Sequence, residues 1–123
     1  MLNRTNIFML YGVVMILYGV WFLFAPVHAT TLYMGGDQAN MDGLSFLLKW
    51  LGLFLFGLGA VYVVNRDSGG DAARQMSMAA IVVALIAIYF SWQGADAYGP
   101  QHYSSLGLNV LWVVLHGSLL KGS

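Results

Sequence analysis

Residues 7 to 24 read IFMLYGVVMILYGVWFLF, a run of 18 residues without a charged side chain. At ~1.5 Å of rise per residue, a helix of this length spans ~27 Å, close to the ~30 Å hydrocarbon core of a bilayer. Similar apolar segments follow at residues 44–64, 75–92 and 104–120, with Lys49 as their one charge. In lipid only helices and closed barrels satisfy every backbone group, and these segments lack strand alternation. The sequence therefore predicts four transmembrane helices.

Composition supports the same conclusion. Hydrophobic residues make up 59% of the chain and charged residues 8%, whereas average globular proteins carry roughly a quarter charged residues. So few charges cannot cover the surface of a water-soluble domain. The absence of cysteine excludes disulfides and thiolate metal sites. No basic run or stripe is present, so nucleic acid is not an expected partner.

The connections between the segments predict the rest of the architecture. Pro26 ends the first helix, since the residue before a proline is pushed out of the α region. Residues 26–34 then form a short helix that ends at Gly35-Gly36, and we expect it to lie at the membrane interface. A signal peptide cleaved near Ala29 is a competing interpretation, but its apolar run is too long. The predicted fold is all-α, one four-helix membrane bundle over residues 1–123.

Charge and aromatic patterns predict the orientation. If four helices alternate across the membrane, the basic residues outside the segments share one side; these are Arg4, Arg66, Arg74 and Lys121. The positive-inside rule places that side, with both termini, in the cytoplasm. The opposite helix ends carry Trp21, Trp50, Trp92 and Tyr103, an arrangement typical of an interfacial aromatic belt. We therefore expect both termini to face the cytoplasm and the aromatic belt to lie at the outer interface.

Glycines predict how the helices meet. Helix association within lipid depends on close packing, which small residues permit. Gly12 and Gly19 lie seven residues apart in the first segment, and Gly52 and Gly59 have the same spacing in the second. Each pair shares one helix face, so we expect these two helices to pack glycine to glycine. A dimerisation face is the alternative interpretation.

Lys49 is the first candidate for a functional polar residue, because a charge within a membrane segment is costly. It lies near the start of its segment, so its side chain can also reach the outer interface by snorkelling. Asp42, two turns earlier, and Asp96, in another outer connection, are its candidate partners. A structural ion pair and a role in substrate or proton handling both remain open.

Histidines are the candidate ligands. His116 lies in the fourth segment, where it is a candidate for ligating a haem or a pigment or for relaying protons. A hydrogen-bonded or interfacial histidine is the simpler interpretation. Trp112 is the further candidate for cofactor binding. His28 and His102 lie on the opposite side, which disfavours a two-histidine haem. With Asp37, Asp42 and Asp96 they form an outer polar group, but no short metal-ligand spacing is present, so we predict no metal site. Solvated loop residues are the simpler interpretation of this group.

The whole chain resembles the DoxX-like small four-helix membrane proteins of bacteria and their relatives of unknown function. The resemblance is in the glycine-bearing first helix, the exit at Ala25-Pro26, the short helix ending at Gly35-Gly36, the glycine-rich stretch 50–59 and the Asp96 connection. Some DoxX members are linked to quinone-dependent sulfur oxidation together with other subunits. The resemblance implies no catalytic residue, because no matching reactive motif occurs here.

Three functional hypotheses follow. The first is a non-catalytic accessory or structural subunit of a larger membrane complex, because no catalytic motif is recognisable. The second is a DoxX-like, redox-associated protein that binds a quinone or another apolar ligand between aromatic side chains; candidates are Trp50, Phe54, Tyr89, Trp92 and Trp112. The third is a small homo-oligomeric channel or carrier. The sequence requires no cofactor and is compatible with bound lipid, quinone or pigment. Expected partners are membrane lipids, other membrane subunits or further copies of the chain.

Overall fold

The computed structural model describes residues 3–34 and 41–121, without the side chains of residues 34, 41–43 and 45. These residues form five helices: α1 (Arg4–Phe24), α2 (Pro26–Met34), α3 (Met41–Val64), α4 (Gly70–Tyr98) and α5 (His102–Lys121). No strand occurs within the described ranges. The predicted all-α class is confirmed, and α2 is the short helix expected after the first membrane segment.

Among the described residues, four helices are long and apolar enough to cross a membrane: Arg4–Phe24, Phe46–Val64, Gly70–Tyr98 and His102–Lys121. The protein is therefore an integral membrane protein. Helix α4, with 29 residues, is longer than the predicted 75–92 because it continues at both ends through polar residues. Apolar composition indicates where hydrocarbon ends, whereas a helix continues as long as its backbone hydrogen bonds do.

Two glycines set the ends of α4. Gly70, the first residue of the helix, has φ 64°, and Gly99, which follows the last residue, has φ 124°. Residues with a Cβ rarely adopt either conformation, so glycine suits both positions. The Gly99 N–H donates to the Ala95 carbonyl at 3.1 Å. Pro100 follows directly, and α5 begins at His102.

The described chain divides into two compact units. The α1–α3 unit comprises Met9–Val64. The α4–α5 unit comprises Asn65–Ser123 together with Met1–Phe8, the start of α1.

Glycines let α1 and α3 approach closely in the α1–α3 unit. A Cβ added to Gly19 would lie 2.6 Å from the Gly52 carbonyl oxygen, and one added to Gly12 would lie 2.6 Å from that of Gly59. Side chains that fill the rest of this core include Tyr11 and Tyr62, whose ring centroids are 4.7 Å apart. The helices thus meet backbone to backbone at the four glycines considered in the sequence.

Small side chains form the buried face of α4. Ala73, Ser77, Ala80, Ala84 and Ser91 are buried at helical spacing, whereas Ala87, which has the same spacing, is half-buried. Helix α5 contributes larger buried side chains, namely Trp112, Leu115 and His116. The Ser91 and Ser105 hydroxyls are hydrogen-bonded at 3.2 Å and join the two helices. Small residues on one helix and large ones on the other allow close packing.

Candidate functional site

Apart from Gly70 at the start of α4, three described glycines of the spanning helices have open space where a side chain would be. A Cβ built on Gly57 of α3, or on Gly107 or Gly117 of α5, meets nothing within 4 Å. We call these the open glycines. They contrast with the glycines of the α1–α3 contact, where the backbone of the facing helix leaves no room for a Cβ. The protein therefore has glycines both within its own helix contacts and outside them.

Large apolar side chains surround Gly57. They lie on one exposed face of α3, with Phe54 70% exposed and Val61 51% exposed. Phe46, Trp50 and Leu53 share that face by helical spacing and are exposed as well. We call the face made by Phe46, Trp50, Leu53, Phe54, Gly57 and Val61 the α3 outer face. A glycine among bulky neighbours makes a notch that exposes helix backbone.

Helix α5 has a similar exposed face. Gly107 is exposed and lies within one turn of Val110 and Leu111, which are both 42% exposed, with Val114 one turn further. We call the face made by Gly107, Val110, Leu111 and Val114 the α5 outer face. Both outer faces combine an open glycine with exposed branched or aromatic side chains.

Helices α2 and α3 line an open apolar cavity of about 320 Å³, here called the α2–α3 cavity. Its lining includes Thr30, Tyr33, Leu44, Leu47, Leu48 and Leu51. The Thr30 hydroxyl donates to the Pro26 carbonyl at 2.7 Å. Burial, reinforced by the neighbouring Tyr18, raises the pKa of Tyr33 to about 12, so its phenol is neutral at physiological pH. The cavity is an uncharged site with the volume of a small-molecule pocket.

The α2–α3 cavity was not predicted from the sequence. The five aromatic residues proposed from the sequence as a quinone pocket do not line it. Trp50, Phe54, Tyr89 and Trp92 are instead exposed, and Trp112 is buried. The cavity depends on how α2 folds back along α3, and spacing within either helix does not reveal that. The one available signal was Tyr33, a residue with a polar group in the short segment between the first two membrane helices.

His116 is fully buried in the α4–α5 unit, at 0% exposure. Its Nδ1 lies 2.9 Å from the Trp112 carbonyl oxygen. Because a carbonyl only accepts, Nδ1 must carry the proton and donate. The imidazole ring stacks on Phe8 at 5.9 Å and meets the edge of Trp112 at 6.5 Å. His116 and Trp112 thus form one packed aromatic cluster with Phe8, and their role as cofactor ligands stays a prediction.

The predicted polar residues of the outer connections are only partly described. Lys49 is exposed on α3, and Asp96 is exposed on α4. The Asp42 side chain and all of Asp37 lie outside the described residues, so the Lys49–Asp42 pairing stays a prediction. The exposure of Lys49 is compatible with snorkelling toward an interface.

The two remaining histidines each have an aromatic neighbour. His28 is exposed on α2, where its Nδ1 accepts a hydrogen bond from the Trp21 indole N–H at 3.0 Å. His102 begins α5 and packs across Gly94 of α4, with Tyr98 at 6.1 Å between ring centroids. No group of three His, Cys, Asp or Glu side chains with metal-binding geometry occurs within residues 3–34 and 41–121.

Comparison with known proteins leaves the family open. No protein-family model, no curated protein and no solved structure matches the chain. The DoxX-like relationship accordingly stays a prediction from the sequence.

Proposed function

We propose that this protein is a non-catalytic accessory subunit that packs its α3 and α5 outer faces against the helices of another membrane subunit. The observation that supports this role is the set of open glycines, above all Gly57 and Gly107, at exposed positions of spanning helices. Such glycines serve helix contact rather than chain folding.

The physical reason lies in what lipid and protein each require of a helix surface. Lipid chains adapt to any apolar surface, so contact with them does not call for glycine. A partner helix gains from glycine because the two backbones can approach closely and make more van der Waals contacts. The α1–α3 contact of this protein already uses that principle at Gly12 and Gly19. The α3 and α5 outer faces repeat it on exposed surfaces.

Native extraction tests this proposal. Membranes are solubilised in mild detergent, and the complex is resolved by blue-native electrophoresis. Gly57→Leu and Gly107→Leu should release the protein from its complex, since each fills a notch. Both should leave its own fold unchanged, because beyond the adjoining backbone of the same helix no described atom lies within 4 Å of the new Cβ. Ala79→Leu is the matched control, as it also places leucine at an exposed position of a spanning helix.

The outcomes are distinct. Loss of the large species in the glycine variants but not in Ala79→Leu supports the proposal, and mass spectrometry of the wild-type band identifies the partner subunit. A wild-type chain that migrates as a lone small species contradicts it. A band that contains only copies of this chain replaces the accessory role with self-association, as in a homo-oligomeric channel or carrier.

The location is part of the proposal: the inner membrane of a bacterium, with both termini in the cytoplasm. The distribution of Arg4, Arg66, Arg74 and Lys121 supports it. Because the chain has no cysteine, a single introduced cysteine reports on which side of the membrane its position lies. An impermeant maleimide applied to intact spheroplasts should label Ala97→Cys and spare Gly69→Cys. The opposite labelling pattern would invert the topology.

A second candidate function is the binding of a quinone or another apolar ligand, and the α2–α3 cavity favours it. Its leucines suit an apolar tail, and the Tyr33 phenol is a neutral polar group at the same site. The resemblance to DoxX-like proteins supports this candidate as well.

Mass spectrometry of small molecules that co-purify tests the second candidate. Leu48→Trp should fill the cavity and remove the ligand, whereas Leu53→Trp, outside the cavity and 48% exposed in the wild type, should retain it. Recovery of bulk membrane lipids alone from the wild-type protein would eliminate this function.

A further inference from the structure

The ends of three spanning helices surround a cavity of about 700 Å³ in the α4–α5 unit. The residues that matter here are Arg4 at the start of α1, Asp71, Arg74 and Ser77 in the first turns of α4, and Ser118 and Leu119 near the end of α5. We call it the arginine cavity. The ends of membrane-spanning helices lie at the level of the lipid headgroups, so the arginine cavity lies where hydrocarbon gives way to phosphate and water.

The charges of the lining favour an anion. The cavity is lined by the guanidinium groups of Arg4 and Arg74 and by the carboxylate of Asp71. The lining therefore has one positive charge in excess. Neither arginine forms a salt bridge within the described residues. The Nε of Arg4 is buried and has no hydrogen-bond partner there. A buried donor of a charged group that lacks an acceptor is costly, and an oxyanion in the cavity would satisfy it.

Other donors of the cavity are available to the same anion. Ser77 lines it, is only 2% exposed, and its hydroxyl forms no hydrogen bond within the described part of the chain. Helix α4 begins here at Gly70, and its N-cap residue Gly69 provides no side-chain hydrogen bond to the first turn. The first N–H groups of a helix carry partial positive charge and favour anions.

We propose that the arginine cavity binds a phosphate oxyanion, held by the guanidinium groups of Arg4 and Arg74 with Ser77 as a further donor. The planar fork of arginine matches two phosphate oxygens at once. A singly charged phosphodiester balances the one excess positive charge. Leu119 provides an apolar wall on which the glycerol and acyl portion of a lipid can lie. The phosphate can therefore belong to an anionic lipid or be free inorganic phosphate.

Binding measurements with the full chain test the proposal. Native mass spectrometry in detergent compares the binding of two lipids to the protein. Phosphatidylglycerol has a phosphodiester with a net negative charge, whereas in phosphatidylcholine the cation of the headgroup neutralises the phosphate. A thermal-shift titration with inorganic phosphate, against chloride at equal ionic strength, tests the soluble source. The variants are Arg4→Gln and Arg74→Gln. The matched control is Arg66→Gln, which removes an arginine that does not line the cavity.

We expect wild-type protein and Arg66→Gln to bind phosphatidylglycerol in preference to phosphatidylcholine, and each cavity variant to bind it about tenfold more weakly. Arginine-dependent binding of inorganic phosphate without lipid preference assigns the site to soluble phosphate. If a glutamine variant does not fold, Arg4→Lys replaces it and must also weaken binding, because it retains charge but loses the fork. Unchanged binding of both anions in folded Arg4→Gln and Arg74→Gln overturns the proposal. Equal binding of the two lipids overturns it as well when inorganic phosphate shows no arginine-dependent binding.

Discussion

The contact between α1 and α3 makes a quantitative prediction about Gly19→Ala. The added Cβ would lie 2.6 Å from the Gly52 carbonyl oxygen and 2.6 Å from the Phe56 backbone nitrogen. Carbon and carbonyl oxygen normally approach to ~3.3 Å, so the contact falls short by about 0.7 Å. Both neighbouring atoms belong to the backbone, which cannot change rotamer. The two helices must therefore separate, and we expect a loss of about 1–3 kcal/mol in the free energy of unfolding.

Gly57→Ala is the matched control on α3. Both substitutions reduce backbone freedom in the unfolded chain by a similar amount, worth ~0.5–1 kcal/mol. At Gly57 the new Cβ meets nothing within 4 Å, so no packing cost opposes that gain. The difference between the two variants thus isolates the helix contact. Unfolding by sodium dodecyl sulfate in mixed micelles, followed by far-ultraviolet circular dichroism, measures it. Equal stability of the two variants would refute the close glycine contact.

Two further predictions concern aromatic side chains that the fold shields from water, partly at Tyr33 and almost fully at Trp112. The pKa of Tyr33 is raised from 10.0 to about 12 in the folded state, chiefly by burial. The stability that the neutral Tyr33 phenol contributes is therefore fully present below pH 10 and is lost as pH rises toward about 12. Ultraviolet titration of phenolate, compared between wild type and Tyr33→Phe, checks this, and a titration at the ordinary pKa would contradict it. Trp112→Ala should cost ~3–5 kcal/mol in the same detergent unfolding assay, because its side chain is 1% exposed. Trp92→Ala, 63% exposed in the wild type, should cost far less, and equal losses would contradict the assigned burial.

Helix positions were predictable because the bilayer imposes a simple rule on composition. A segment that crosses hydrocarbon must be apolar for about 20 residues and helical throughout. The predicted segment 7–24 accordingly falls within α1 (Arg4–Phe24), and 104–120 falls within α5 (His102–Lys121). The predicted ends were less accurate for α4, where polar residues such as Asp71 and Gln93 continue the helix. Hydrophobicity does not report where a helix stops in water.

The α2–α3 cavity and the arginine cavity were not predictable, because each gathers residues distant in the chain. Arg4 and Ser77 line one cavity, and Tyr33 and Leu48 line another. Periodicity places a residue on a face of its own helix but does not state which other helix that face meets. The positive-inside pattern indicated that Arg4 and Arg74 share a side of the membrane, and it could not indicate that they share a cavity.

By itself, the sequence determined that the chain is an all-α membrane protein with four spanning helices, because the solvent around the side chains dictates their composition one segment at a time. Only the tertiary structure decided which glycines lie in helix contacts within the chain, as Gly19 does, and which remain open, as Gly57 does. Both are glycines in the same kind of apolar helix. The backbone of a neighbouring helix faces Gly19 and does not face Gly57. This difference depends on how separate helices pack.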